Sequence, residues 1–380
     1  MIDFIDLKTQ QKLIKSGLDR RISDVLKHGQ YILGPEVKEL EEKLSNYSNS
    51  KYVLCCSSGT DALLLALISL DLKQGEGVIV PSFTFASTPE VVCMLGSVPI
   101  FSDVNMDTYN LCEESILQGI SKGKKIGIDI KGIISVGLFG QPCDMDKIEE
   151  ISKKYNLWVL DDAAQSFGAK YKGKISGNLA KVSATSFFPA KPLGCYGDGG
   201  AFFSNNEDLY KIAYSAHLHG MGKHKYDYER IGMNGRMDTI QAAILLEKLE
   251  IFDNELKKRQ IVADTYIKNF KNLNSDIKLP VLQKDVESTW AQFTVQLPPY
   301  CNREIFQLKM REKNIPTAIY YPIPLHFQKP YRNFPISTDE LKNTNYLSKC
   351  VISLPMHPYL KDDVILYISK TVDEIINEMK

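Results

Sequence analysis

Ser186-Phe187-Phe188-Pro189-Ala190-Lys191-Pro192-Leu193-Gly194-Cys195-Tyr196-Gly197-Asp198-Gly199-Gly200 is the stretch on which the reading of this chain turns. One lysine stands five residues after a serine, with apolar aromatics before it and four glycines behind. Such surroundings solvate an ammonium poorly, and desolvation favours the neutral amine. A neutral lysine amine is a nucleophile toward carbonyl compounds. A surface lysine beside a glycine-rich turn would have the same local spelling, so the reading depends on what accompanies it. The glycines from Gly194 to Gly200 are expected to turn the backbone tightly, through the positive φ that glycine tolerates.

Upstream of this stretch, short apolar runs alternate with helical patterns. Tyr52–Cys56, 77–80, 98–101, 133–138 and 157–160 read as buried strands. Helical spacing covers 8–28, 36–47, 62–70, 86–95 and 144–155. Strands alternating with helices of about 10–15 residues predict an α/β fold whose large domain has a mainly parallel sheet covered on both faces. Downstream, 201–204 reads as a strand, 217–235 as a loop rich in Gly, His and Lys, and 237–270 as a long amphipathic helix. A smaller α+β region follows, with a strand at 289–297, a helix at 304–313 and a proline-rich loop at 322–330. The expected division is a large domain over 1–250 and a small C-terminal domain over 251–380.

Composition narrows the function classes. Of 380 residues, 44% are hydrophobic and 24% charged, and Lys+Arg and Asp+Glu each number 46. A formal net charge of zero is no footprint for nucleic acid. No run reaches the roughly 18 apolar residues of a membrane span, and the start, Met1-Ile2-Asp3-Phe4, lacks a basic leader; the expectation is a cytoplasmic protein with no membrane partner. The eight cysteines form no CxxC pair and join no histidine cluster, so no metal site is expected. His217, His219 and His224 have no Cys or acidic partner at ligand spacing, and nearby Lys223 and Lys225 could meet a diphosphate or simply face water.

Three strand-to-helix turns carry chemistry. Ser57-Ser58-Gly59-Thr60-Asp61 offers free helix N–H groups and a helix dipole to an anion, although a plain N-cap is spelled the same way. Asp161 and Asp162 stand at the carboxyl end of a buried strand, where ligands bind in open α/β sheets. Asp162 lies deeper in the turn and is the choice for a cationic ring nitrogen, but spacing alone does not separate it from Asp161. Pro81-Ser82-Phe83-Thr84-Phe85 presents aromatics that could stack on a flat ring or lie in the core. Anion cup, ring face, carboxylate and lysine together match the four features of pyridoxal phosphate that a protein must hold. A nicotinamide site would need G-x-G-x-x-G after the first strand, and Ser57–Ala62 lacks it.

With these residues on the page, the chain is similar to a known family. SSGTDALLLAL, PSFTFAST, VLDDAAQSFGA, SFFPAKPLGCYGDGGA, YYPIPLHFQ and SLPMHPYL resemble the DegT/DnrJ-type sugar aminotransferases of the aspartate-aminotransferase-like fold (fold type I), from Phe4 to about Tyr359. The resemblance implies an enzyme that uses pyridoxal 5'-phosphate, with Lys191 as the lysine that holds the cofactor and shuttles protons. It implies Asp162 on the ring nitrogen, Gln165 against the ring near its hydroxyl and Phe85 on the opposite face. Gly59, Thr60 and Ser186 would hold the phosphate. It further implies a homodimer in which Asn234, from the neighbouring subunit, completes the phosphate site. A related subgroup with histidine in place of the lysine works as a dehydratase, and this chain keeps Lys191.

MIDFIDLKTQQ, HGQYILGPEV, MDTIQAAILLEKLEIF and PTAIYYPIPL look closest to the enzymes that aminate C3 of UDP-2-acetamido-2-deoxy-3-oxo-glucuronate, for surface polysaccharides such as lipopolysaccharide O-antigens. The amino donor implied is glutamate. Arg236 is the candidate for the substrate carboxylate, or else an interface salt bridge. Tyr320, Tyr321 and His326 lie in the loop that family members fold over the sugar nucleotide, with a structural histidine as the plainer reading of His326. A 4-oxo or 6-deoxy sugar nucleotide is the alternative substrate. A regulatory protein that keeps the cofactor only as a sensor is the alternative of a different class.

Overall fold

The computed structural model describes residues 2–224 and 226–380. Its large sheet uses β1 (Tyr52–Cys56), β2 (Gly77–Pro81), β3 (Val98–Ser102), β4 (Ile130–Val136) and β5 (Trp158–Asp162). Two short strands, β6 (Lys170–Tyr171) and β7 (Lys174–Ile175), lie outside it; β8 (Val182–Ser186) and β9 (Gly200–Ser204) complete it. The strand order is β1-β9-β8-β5-β4-β2-β3. From β8 to β3 all neighbours are parallel, while β9 runs antiparallel to both β1 and β8. The carboxyl ends of β1, β8, β5 and β2 therefore share one edge.

Period-two alternation divides each strand between the two faces. Leu54, Val78, Val80, Leu160 and Phe202 join one core with Leu63, Leu65 and Val91, from helices α3 (Gly59–Ser69) and α4 (Ser87–Met94). Val53, Cys55, Ala201 and Phe203 meet the other face's cover, α2 (Pro35–Ser48) and the first half of α8 (Thr239–Leu273, on which α1, Leu7–His28, packs), through Leu40, Leu44, Leu246 and Phe252. Ile79, Ile133 and Val159 lie with α5 (Glu113–Lys125) and α6 (Met145–Tyr155). Helix α3 is apolar nearly all round because it is covered on several sides, by β8, β9, α4 and α7 (Glu207–His217).

The second half of α8 enters a smaller core. Val262, Tyr266 and Phe270 pack there with Phe293 and Val295 of β11 (Phe293–Gln296), which follows β10 (Val286–Glu287), the partner of β6. Strand β11 pairs antiparallel with β12 (Val351–Leu354), which follows α10 (Lys342–Cys350). Phe306 and Met310 of α9 (Arg303–Glu312) and Ile365, Ile368 and Val372 of α11 (Asp362–Asn377) close it. The expected division near residue 250 falls inside α8, which serves both cores. The chain's opening residues reach the small core as well, since Ile2 packs on it and Phe4 O accepts from Met356 N at 3.2 Å.

Candidate active site

Four turns meet at the shared edge of the sheet. After β1, Ser58 caps α3 by accepting from Asp61 N at 3.0 Å. Gly59 and Thr60 are the first two helical residues, so their N–H groups have no carbonyl one turn behind them. This turn lies directly on the end of β8: a Cβ on Gly59 would stand 2.6 Å from Ser186 Cβ. A Cβ on Gly200 would stand 2.3 Å from Ser58 O. None of Gly194, Gly197, Gly199 and Gly200 has a positive φ, contrary to the expectation from sequence. At Gly200 and Gly59 glycine serves close approach, because neighbouring backbone and side chain occupy the space a Cβ needs. Ser186 Oγ accepts from Phe188 N at 3.2 Å.

The loop from β8 to β9 carries Lys191, half-buried, its N–H donating to Phe188 O at 2.8 Å. Burial pushes the Lys191 pKa down, and the negative charge of Asp162 opposes that shift. Asp162 ends β5 on the face shared with Leu160 and α4, where Thr88 Oγ1 donates to it at 2.9 Å and Ala164 N at 3.2 Å. Burial raises the Asp162 pKa, while Thr88, Ala164 and Lys191 hold the rise back. Asp161 points to the other face, toward Ser176 Oγ at 3.3 Å and Gly177 N at 3.4 Å. Its pKa is raised to about 7, chiefly by burial, with the neighbouring Asp162 adding to the rise against the hydrogen bond from Gly177.

Gln165 Oε1 accepts from Phe139 N at 2.7 Å, and its Nε2 donates to Tyr321 OH at 3.2 Å. The Tyr321 ring stands 6.3 Å from both Phe83 and Phe85. Phe83 is fully buried and Phe85 is 58% exposed, so of the two aromatics in that turn one is core and the other offers an open face. Tyr320 is half-buried with its ring 5.9 Å from Tyr321. His326 is buried, its Nδ1 2.7 Å from Ser82 Oγ, and its pKa is lowered by burial. It clasps the 322–328 loop to the turn after β2.

The structure thus brings Lys191, Asp162, Gln165, Phe85 and Tyr321 together beside the Gly59–Ser186 contact. Asn234 and Arg236 differ. Their segment runs along the end of β1, with Ser57 N donating to Gly235 O at 3.0 Å and Arg236 bridged to Cys56. Asn234 is exposed and makes no hydrogen bond to Gly59, Thr60 or Ser186 among the described residues. Arg236 Nε is buried without a hydrogen-bond partner among them. Lys223 is exposed, and Lys225 lies outside the described residues. Thr88 and Phe139 were not singled out from sequence. Their partners lie 74 and 26 residues away, and neither carries a local signal.

This arrangement fits pyridoxal phosphate. An amine disfavoured as ammonium stands near a buried carboxylate that has no cationic hydrogen-bond partner among the described residues. The turn beside them presents free amides and a serine hydroxyl to an anion.

The profile of the DegT/DnrJ/EryC1/StrS aminotransferase family matches residues 13–373. Over 363 residues the chain is 46% identical to UDP-2-acetamido-2-deoxy-3-oxo-D-glucuronate aminotransferase of Pseudomonas aeruginosa, covering 95% of this chain and 96% of that one. A DegT DnrJ EryC1 StrS aminotransferase from Brucella abortus superimposes with a TM-score of 0.94 at 41% identity, covering 98% of each chain. NtdA from Bacillus subtilis, solved with bound cofactor PMP, does so with a TM-score of 0.86 at 30% identity, over 98% of this chain and 83% of that one.

Proposed function

The chain belongs to the DegT/DnrJ/EryC1/StrS aminotransferase family, and on that premise we propose that it moves an amino group from glutamate to C3 of UDP-2-acetamido-2-deoxy-3-oxo-glucuronate. It is a pyridoxal-phosphate-dependent aminotransferase. The observation that carries the reaction is the juxtaposition of Lys191, in the loop that follows β8, with Asp162 at the end of the neighbouring β5. The 46% identity to the Pseudomonas aeruginosa enzyme supports the substrate. Eight free cysteines and the lack, among the described residues, of a helix long and apolar enough to cross a membrane support a cytoplasmic setting for it.

When bound, pyridoxal phosphate supplies an electron sink for the carbanion formed at the amino donor. Gly59 N, Thr60 N and the Ser186 hydroxyl would hold its phosphate, and Asp162 would keep the proton on its ring nitrogen. Gln165 would lie beside the ring and Phe85 would cover a face. Lys191 Nζ takes the proton from the α-carbon of glutamate. The 2-oxo acid left by glutamate departs before the keto sugar enters, which makes the kinetics ping-pong, and in the return half-reaction Lys191 delivers a proton to the sugar carbon that becomes aminated. Tyr320 and Tyr321 flank the sugar, and His326 holds their loop in place.

The working unit is a homodimer. Tyr31, Ile32, Leu33 and Ile231, the last 94% exposed, lie in the segments that flank Asn234 and Arg236. Apolar exposure of this kind marks an interaction surface. Asn234 would reach the phosphate site of the second copy, and Arg236, whose Nε has no hydrogen-bond partner among the described residues, would take the substrate carboxylate there in a bidentate pair. Incubation with glutamate and the 3-oxo uronate nucleotide, followed by mass spectrometry, should show the 3-amino product. Amination of a 4-oxo sugar nucleotide instead would replace the substrate and keep the reaction class.

A further inference from the structure

Helix α8 carries three buried charged side chains, Lys248, Glu255 and Arg259. Two have conventional partners. Glu255 accepts from Gln10 Nε2 at 2.8 Å and from Tyr359 OH. Arg259 donates to the carbonyls of Trp290 at 3.1 Å and Met356 at 3.4 Å. Lys248 is 1% exposed, and its Nζ is sealed from solvent with no hydrogen bond among the described residues. It lies 4.2 Å from the centroid of the Tyr196 ring. Burial pushes its pKa down to about 8, against the pull of Glu255 and Cys195. Removing an ammonium from water is costly, an aromatic face offsets only part of that cost, and an apolar side chain of similar volume is often neutral or stabilising at such a place. Stability alone does not account for a lysine here.

Its contact does. Tyr196 is where the lysine loop ends. The chain leaves β8 at Ser186, passes Lys191 and returns at Cys195, whose N–H donates to Phe187 O at 2.7 Å. The next residue is gripped twice by α8: Tyr196 N donates to Gln241 Oε1 at 2.9 Å, and its ring lies under Lys248. Gln241 and Lys248 are about two helical turns apart, so one face of the helix supplies both holds. The Tyr196 hydroxyl is itself buried without a hydrogen-bond partner among the described residues, so the grip on the side chain is through the ring. We propose that Lys248 is a positioning residue for the reaction, which fixes through the face of Tyr196 the return of the lysine loop and hence the placement of Lys191 against Asp162. It acts through the backbone and not by its field, since the charge that bears on Lys191 is that of Asp162.

The proposal rests on Lys191 being the catalytic lysine, and that premise is tested separately by Lys191→Ala. Lys248→Met keeps the length and removes the charge. The apoprotein should melt no lower than the parent. Its Kd for pyridoxal phosphate, followed by absorbance, should rise about tenfold, and kcat should fall about tenfold with KM for glutamate unchanged, as expected for coupling through a contact. Tyr196→Leu should give the same losses and the double variant no more than either, while Tyr196→Phe, which keeps the ring, should match the parent. A Lys248→Met protein with parental Kd and kcat, or losses that add to those of Tyr196→Leu, would overturn the proposal. So would a Lys248→Met protein that fails to fold, because the charge would then serve stability.

Discussion

In the turn after β5, the polar groups find partners within their own chain: Thr88 and Ala164 on Asp162, Phe139 and Tyr321 on Gln165. In the segment that runs past the end of β1, Asn234 is exposed and Arg236 Nε is buried and unpaired among the described residues. The backbone of that segment is nonetheless held firmly, with Gly235 N donating to His217 O at 3.0 Å and Met233 N to Ala216 O at 2.8 Å. A fixed backbone carrying idle polar side chains is what one half of a shared site looks like. The polar groups of the first region are satisfied within one chain, and the second is the part that the proposed dimer would complete.

Breaking the complete region should have the largest effect. Lys191→Ala removes nucleophile and proton carrier together, and turnover should fall by about 10⁴-fold or more. Borohydride should bleach the yellow parent and fix the cofactor to its chain, and the purified variant should show no such attachment; retained turnover would remove the lysine from the mechanism. Next comes the pair at the end of β5. Asp162→Asn should lower kcat by about 10²- to 10³-fold, as when an electrostatic partner of a reacting group is lost. Asp161→Asn should leave kcat within a few-fold of the parent. It faces Ser176 and Gly177 and not Lys191, and equal losses in the two variants would mean that the faces have been misassigned.

The incomplete region is probed by mixing subunits. Arg236→Ala should raise KM for the uronate substrate about 10- to 100-fold, the range for a hydrogen-bonded charge. Co-expressing Lys191→Ala with Asn234→Ala chains should restore activity that neither has alone. In a mixed dimer one site collects both lesions and the other none, so no recovery would confine each site to a single chain.

The smallest effect concerns pH. His217 and His357 are pushed down to about 4, in both cases mainly by burial. The folded state then keeps them neutral while the unfolded chain protonates them below roughly 6.5. Between 6.5 and 4 the unfolded state binds more protons, so stability present at pH 7 is lost as pH falls through that window, by about 1–3 kcal/mol for each histidine. Melting temperature against pH, with and without His357→Gln, measures it; a flat parental profile would contradict the burial argument.

Much of this was legible in residues. The apolar runs at 52–56, 77–80 and 98–101 marked buried strands because they pack on both faces of a sheet, and all three are present, the last two one residue longer than read. β8 was not marked: Val182-Ser183-Ala184-Thr185-Ser186 is small and half polar, yet central. Its burial comes from β5 and β9 beside it, which no local pattern reports. Helices α5 and α7 also went unread. The long reach of Thr88 to Asp162 is likewise invisible in one dimension, since both residues are ordinary where they stand in the chain.

By itself the sequence determined the chemistry on offer. A lysine in an apolar, glycine-flanked segment, carboxylates at a strand end and a Ser-Gly-Thr turn into a helix carry their properties locally, through desolvation, strand polarity and unpaired helix amides. Only the tertiary structure decided which of Asp161 and Asp162 stands with Lys191, because the two faces of a strand differ only in what packs on them. It also decided that Gly59 and Gly200 serve contact instead of turning, and that the Arg236 Nε is buried with no hydrogen-bond partner among the described residues. Those are properties of distances between residues far apart in the chain, set when the sheet and its covering helices come together.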